Sequence, residues 1–260
     1  MPGIAVNDIS LHYTDAGEGE AVLLLHGLGS SSEDWGLQLP VLTPRYRVIA
    51  VDLRGHGKSS KPLGPYSMAM FAEDVAELIE DLDIVPCDVV GLSLGAMIAL
   101  ELAATRPDLV KSAVVVNAGP DFIPRTLKDK AMVWQRLALV RMLGVERVAR
   151  LIAGRTLPGE EHAEMRSAVV ASLADNDKAA YLASMKAIVG WSVRDRLSQI
   201  AAPTLVVASE FDYSPVEAKQ RIVDEAQDAR MVVVGGARHL LPVEKPDEFN
   251  EILLAFLSDS

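Results

Sequence analysis

Residues 89–100 read VVGLSLGAMIAL, with one polar side chain, Ser93, set between Gly91 and Gly95. Val89 and Val90 end a run with strand chemistry. Ala96, Met97, Ile98 and Leu100 open a packed helix, so the chain must turn sharply at the serine. Glycines two positions to either side suit such a turn, because side chains there would crowd it. A turn of this kind also holds the hydroxyl out at a helix N-terminus, where the helix dipole favours developing negative charge. The pattern G-x-S-x-G arises by chance in roughly one chain of this length in ten. Its setting, strand before and helix after, therefore carries more weight than the motif.

Working outward, short apolar runs with β chemistry recur at Val22–Leu25, Arg47–Val51, Asp88–Leu92, Ala113–Asn117, Thr204–Ser209 and Met231–Gly235. Several are apolar throughout, as expected of parallel strands covered on both faces. Between them lie helical patterns, such as Met68, Phe71, Val75, Leu78, Ile79 and Leu82 across 68–84. Ile4–Val6 and Ile9–Tyr13 read as an antiparallel pair at one edge. Strand alternating with helix predicts an α/β fold with a mostly parallel, doubly wound sheet.

The alternation stops between 121 and 200. That stretch is rich in Ala, Leu, Arg and Met. Leu137, Val140 and Leu143, then Val148, Leu151 and Ile152, predict short helices broken at Gly144 and at Leu157-Pro158-Gly159. A helical insertion at 121–200 is expected over one end of a core formed by 1–120 and 201–260. It is also where the charge is uneven. The chain carries a net charge of −11, yet residues 125–155 hold eight bases (Arg125, Lys128, Lys130, Arg136, Arg141, Arg147, Arg150, Arg155) against two acids, Asp129 and Glu146.

The bulk numbers exclude several classes. At 260 residues and 50% hydrophobic, the chain can bury a sizeable core. No apolar run approaches 18 residues, so no membrane span is expected, and the acidic balance argues against nucleic acid as a partner. The first ten residues have no secretory pattern, and a single cysteine, Cys87, reads as a small buried hydrophobe; a cytoplasmic location is expected. Gly57-Lys58-Ser59 ends like a phosphate loop, but Asp52 stands where the upstream glycine is required. No metal-ligand spacing is present, so neither a metal nor a cofactor is expected.

A serine hydroxyl needs a base, and five histidines compete. His12 and His162 read as surface residues, His56 as part of a tight glycine turn, and His26 as a ring that shapes the loop after its strand. His239 follows the strand-like Met231-Val-Val-Val and lies in a loop. Loops after parallel strands converge at the carboxyl end of the sheet, where Ser93 also emerges. His239 is therefore the chosen base. Asp212, in the loop after Thr204–Ser209, is the orienting acid, with Glu210 its rival. The order Ser93, Asp212, His239 fits one known arrangement of such a triad. Backbone N–H groups of Leu94 and Leu28 are the candidate oxyanion donors.

The stretches HGLG (26–29), DLRGHGKS (52–59), GLSLGA (91–96), SEFDYSP (209–215) and GGARHLLPVEKPDEFN (235–250) together resemble the α/β-hydrolase superfamily nearly end to end. The resemblance implies Ser93 as nucleophile, His239 as base, Asp212 as acid, Leu28 and Leu94 as oxyanion donors, and 121–200 as a lid. Serine at the turn sets aside the dehalogenases and epoxide hydrolases that carry Asp there, and Ala96 departs from the second glycine of many relatives. The expected activity is hydrolysis of a small-molecule carboxylic ester through an acyl-enzyme. Carbon–carbon bond hydrolysis, enol-lactone opening and carrier-protein methyl ester cleavage reuse the same residues and remain alternatives. So does a non-catalytic ligand receptor. The basic segment has two readings, a solvated face or an attractant for an anionic substrate or acidic carrier, and a homodimer is a further expectation.

Overall fold

The computed structural model describes residues 3–259, apart from the side chains of Arg155 and Glu161. Its strands are β1 (Gly3–Val6), β2 (Ile9–Ala16), β3 (Ala21–Leu25), β4 (Arg47–Val51), β5 (Cys87–Leu92), β6 (Val110–Val116), β7 (Thr204–Ser209) and β8 (Ala229–Val234). They form one sheet in the order β1-β2-β4-β3-β5-β6-β7-β8. The β1–β2 and β2–β4 pairs are antiparallel and all others parallel. The helices are α1 (Leu39–Leu42), α2 (Met68–Asp81), α3 (Leu94–Thr105), α4 (Leu127–Leu143), α5 (Val145–Thr156), α6 (Ala163–Ala174), α7 (Lys178–Ile188), α8 (Val216–Glu225), α9 (Leu241–Glu244) and α10 (Pro246–Asp259).

Successive side chains of a strand point to opposite faces, and here both faces are apolar. Leu23, Leu25, Ile49, Val51, Val89, Val115 and Val206 pack on the side of α2 and α3. Val22, Leu24, Val48, Ala50, Val90, Leu92, Val114 and Val207 pack on the other, against Trp35, Phe249, Leu253 and Phe256. This double burial explains why the runs lack alternation. The expected strands are all present. β6 starts earlier than expected, at Val110, and Asn117 leaves it with φ +52°.

Strand order reverses at β3: its neighbours are β4 on one side and β5 on the other. At such a switch point the loops after the two strands diverge and leave a crevice. The loops after β3 and β5 are the HGLG segment and the Ser93 turn. The fold thus brings these two stretches together from positions 67 residues apart in number, His26 and Ser93.

Between β6 and β7 stand only helices, α4 to α7, with breaks at Gly144 and after Thr156 as expected. Both ends of this insertion are held. Phe122 N–H donates to the Trp191 carbonyl, Gly190 N–H to the Phe122 carbonyl, and Val193 N–H to the Pro120 carbonyl. Trp191 Nε1 and Arg196 then bind the buried Glu101 of α3 at 2.8–2.9 Å.

One histidine reading is corrected. His12 is buried, not a surface residue, and its Nδ1 lies 3.0 Å from Asp52 Oδ2. It points inward because β2 is covered by the 52–59 loop. Asp52 also accepts from the Ser32 and Lys58 N–H groups. A carboxylate therefore occupies the donors of the loop whose last residues mimic a phosphate site. Cys87 is fully buried, and burial pushes its thiol up to about 12, as suits a core hydrophobe.

The close approach of α3 to the sheet makes a stability prediction. A Cβ on Gly95 would overlap the Leu25 carbonyl and crowd the His26 carbonyl oxygen. Gly95→Ala should lose at least about 2 kcal/mol in urea denaturation, the scale of an overpacked core. An unchanged midpoint would show that the helix has room to shift.

Candidate active site

Ser93 joins β5 to α3 with φ +54° and ψ −108°, a conformation outside the ordinary regions for an L-residue. Strain of this kind costs about 1–3 kcal/mol and persists only where the surroundings over-determine it. They do so here. Ser93 N–H donates to the Val116 carbonyl at 2.9 Å, and its carbonyl accepts from Met97 N–H at 3.0 Å. A Cβ on Gly91 would overlap the backbone of Gly95 and Ala96, so both glycines of the motif are sterically required.

Asp212 follows β7 and His239 follows β8. His239 Nδ1 lies 2.6 Å from Asp212 Oδ1, and both side chains are nearly inaccessible to solvent. The carboxylate is held by more than the imidazole. Its Oδ2 accepts from Lys219 Nζ at 2.7 Å and Ser214 Oγ at 2.5 Å, and its Oδ1 from Tyr213 N–H at 2.8 Å. Burial works to raise the Asp212 pKa, but His239, Lys219 and Ser214 outweigh it and hold the group at about 2. Asp212 is therefore anionic at neutral pH and fixes His239 with a proton on Nδ1.

Glu210 is not in this arrangement; its Oε2 accepts from Gly236 N–H at 2.8 Å and braces the turn after β8. His26 and His56 serve structure, as expected. His26 Nδ1 donates to the Gly27 carbonyl at 2.7 Å while Nε2 accepts from Leu53 N–H at 3.0 Å. His56 Nδ1 donates to the Arg54 carbonyl at 2.8 Å, and burial pushes its pKa down to about 3. His162 lies in the insertion, its Nδ1 2.6 Å from the Pro158 carbonyl.

Ser93 and His239 make no hydrogen bond to each other in this conformation. Tyr213 lies against both. Its ring lies 3.9 Å from the imidazole, centroid to centroid, at 31°, and its hydroxyl is next to the Ser93 side chain. A phenol keeps its proton at neutral pH, so Tyr213 faces Ser93 as a neutral hydrogen-bonding group.

The loop after β3 reaches the same place. A Cβ on Gly27 would be 3.7 Å from both the Ser93 Cβ and the Leu92 carbonyl oxygen. Leu28 is the next residue along this loop, and Leu94 is the first residue of α3. The Leu28 side chain packs into the insertion's own cluster with Val140, Val148 and Tyr181. Gly29, at φ +80°, passes its carbonyl to Asn176 Nδ2 at 2.6 Å. The loop is thereby fastened to the helices above it.

Three residues of this arrangement escape the sequence reading. Asn117 Nδ2 donates to the Ser209 hydroxyl and to the carbonyls of Arg238 and His239, while its Oδ1 accepts from Ser209 N–H. It ties the ends of β6 and β7 to the His239 loop, and a polar residue closing an apolar strand was the available signal. Lys219 on α8 is completely buried, which a single lysine in an amphipathic helix does not announce. Tyr213 depends on packing that no local pattern encodes.

Reversed strand order, a strained serine turn at the switch point and a buried Asp–His pair beside it define the α/β-hydrolase architecture. A model of the alpha/beta hydrolase family matches residues 22–252, and the chain belongs to that family. It is 29% identical to 3-oxoadipate enol-lactonase 2 of Acinetobacter baylyi, over 98% of this chain and 95% of that protein. It is 31% identical to the putative carbamate hydrolase RutD of Caulobacter vibrioides, over 92% of this chain and 90% of that one. Among solved structures, the enol-lactonase of Burkholderia xenovorans superposes with a TM-score of 0.92 at 26% identity, covering 99% of this chain and all of that one (100%).

Two outcomes test the buried carboxylate. Lys219→Met strips one partner from a buried ion pair and should cost about 3–5 kcal/mol of stability by urea denaturation. A loss under about 1 kcal/mol would mean that the pair is dispensable. Because the folded pKa of Asp212 is depressed to about 2 from 3.8, its contribution is complete above pH 4 and disappears as pH falls through 2. The stability gap between wild type and Asp212→Asn should shrink by about 2 kcal/mol between pH 5 and pH 2. A constant gap would contradict the depressed pKa.

Proposed function

We propose that this protein is a serine hydrolase that cleaves carboxylic ester bonds of small substrates. The observation that carries the reading is the 2.6 Å His239–Asp212 contact set beside a serine held in a strained strand-to-helix turn. Ser93 is the proposed nucleophile, His239 the base and Asp212 the group that orients it.

With Nδ1–H donated to Asp212, the imidazole's Nε2 carries the free lone pair. It takes the Ser93 proton as the serine oxygen attacks the substrate carbonyl. The carbonyl oxygen becomes an oxyanion received by the N–H groups of Leu28 and Leu94, at the positive end of α3. The intermediate collapses to the acyl-enzyme as His239 returns the proton to the departing alcohol. A water, deprotonated by His239, then attacks the acyl carbon; the acid leaves and Ser93 regains its proton. No step needs a metal or an organic cofactor.

In this reading residues 1–120 and 201–260 form the catalytic core, and 121–200 is the lid that shapes the substrate chamber. Exposed Phe122, Ile123, Met132 and Trp134 on its first segment supply apolar surface for that purpose. The enol-lactonases among the relatives favour a second reading in which the ester is cyclic. A lactone is an ester whose alcohol stays tethered, so the same groups open it. We place the enzyme in the cytoplasm on its cysteine usage, a single buried thiol with no disulfide. No helix among the described residues is long and apolar enough to cross a membrane.

Ser93→Ala should lower p-nitrophenyl acetate hydrolysis by at least about 1000-fold and abolish labelling by a fluorophosphonate, with the thermal melt unchanged. Retained turnover or labelling in the variant would remove Ser93 from the role. A wild type that labels but does not turn over would instead mark a ligand receptor.

A further inference from the structure

Eight bases crowd residues 125–155, and the structure separates them. Arg125, Lys128, Lys130, Arg141, Arg147 and Arg150 are exposed. Arg125 and Arg150 make solvated pairs with Asp121 and Glu146 at 2.8 and 2.5 Å. The two acids of the segment are thus used up: Glu146 in that pair, and Asp129 as the capping box that starts α4 with Thr126. Most of the cluster is a wet surface face.

Arg136 is different. It turns inward from the middle of α4, and its Nε is buried without a hydrogen-bond partner. One terminal nitrogen lies 3.5 Å from the Tyr181 hydroxyl, and among the described residues no carboxylate pairs with it. A guanidinium offers five N–H donors and stays charged at any physiological pH. Burying part of that charge with so little compensation is costly, and a group left this way in a native structure calls for a specific explanation.

The neighbours of Arg136 say where that ligand would sit. Tyr181 packs against Gly29 of the HGLG loop, where a Cβ would lie 2.7 Å from its ring. At the serine itself, Tyr213 stacks on His239 with its hydroxyl beside Ser93. The guanidinium is thus one side chain, Tyr181, away from the loop that carries a proposed oxyanion donor.

We propose that Arg136 binds a carboxylate on the acyl part of the substrate, so that the preferred esters or lactones derive from dicarboxylic acids. The proposal rests on the serine-hydrolase reading. A planar guanidinium pairs with a carboxylate through two parallel N–H···O bonds, which fixes orientation as well as supplying attraction. The acyl part stays bonded to Ser93 through both half-reactions. Its carboxylate anchor thus positions the carbonyl during acylation and the acyl-enzyme during attack by water. The exposed bases of α4 and α5 are left with the accessory effect of a positive field at the surface.

The test compares p-nitrophenyl hemisuccinate, hemiglutarate and hemiadipate with p-nitrophenyl butyrate, valerate and hexanoate. It measures kcat/KM in wild type, Arg136→Gln, Arg136→Lys and Arg147→Gln, with thermal melts of each. Wild type should favour at least one anionic ester over its neutral counterpart by 10-fold or more. Arg136→Gln should reduce that ratio at least 30-fold, Arg136→Lys should restore it in part, and Arg147→Gln should leave it unchanged. Equal turnover of charged and neutral esters by wild type would overturn the carboxylate site while leaving Ser93 in place. The same holds if Arg147→Gln lowers the ratio as much as Arg136→Gln, the outcome expected of a diffuse face for an acidic carrier protein. Failure of wild type to hydrolyse any of the six esters would overturn both readings together.

Discussion

The contact on which the site depends is the approach of the α3 N-terminus to the carboxyl end of β3. Gly95 lies against the Leu25 carbonyl, and Gly91 lies against Gly95 and Ala96, with no room for a methyl group at either position. That packing drives the chain through φ +54° at Ser93, because a relaxed turn would carry the helix away from the sheet. Hydrogen bonds to Val116 and Met97 hold the residue there. The half-buried serine is consequently held at the switch point of the sheet, beside the loop that follows β3.

A second constraint is electrostatic. Asp212 is buried and anionic, and three side chains besides its backbone neighbour hold it: His239, Lys219 and Ser214. Lys219 is itself fully enclosed and also donates to the Ser214 carbonyl at 2.7 Å. Removing either charge would strand the other in a low-dielectric setting. The benefit is positional: a carboxylate with this many donors cannot swing away from the imidazole. Asn117 does the same for the other end of the His239 loop, clamping two of its carbonyls to the tip of β6.

Much of this was legible in the sequence, and the reason is that strands here carry their signal locally. Double burial writes itself as Val-rich apolar runs in β5, β6 and β7, and the sharp turn writes itself as Gly91 and Gly95. Asp212 and His239 were recoverable because each sits in a loop directly after a parallel strand, where topology forces convergence. The burial of His12 was not legible, because the loop that covers β2 comes from residues 52–59. Nor was Lys219: it lies on an amphipathic helix, where an inward-facing cation looks like its solvated neighbours. Tyr213 carries no local signal, and only the packing of two loops puts its ring on the imidazole.

The central claim is that acyl transfer passes through Ser93 in this strained turn. Acid-quenching the enzyme during turnover of a p-nitrophenyl ester, followed by peptide mapping by mass spectrometry, tests it most directly. The account predicts one acyl adduct, on the peptide that carries Ser93, appearing with the first equivalent of p-nitrophenol. An adduct on another residue would contradict it, as would p-nitrophenol release with no acyl-enzyme at any quench time.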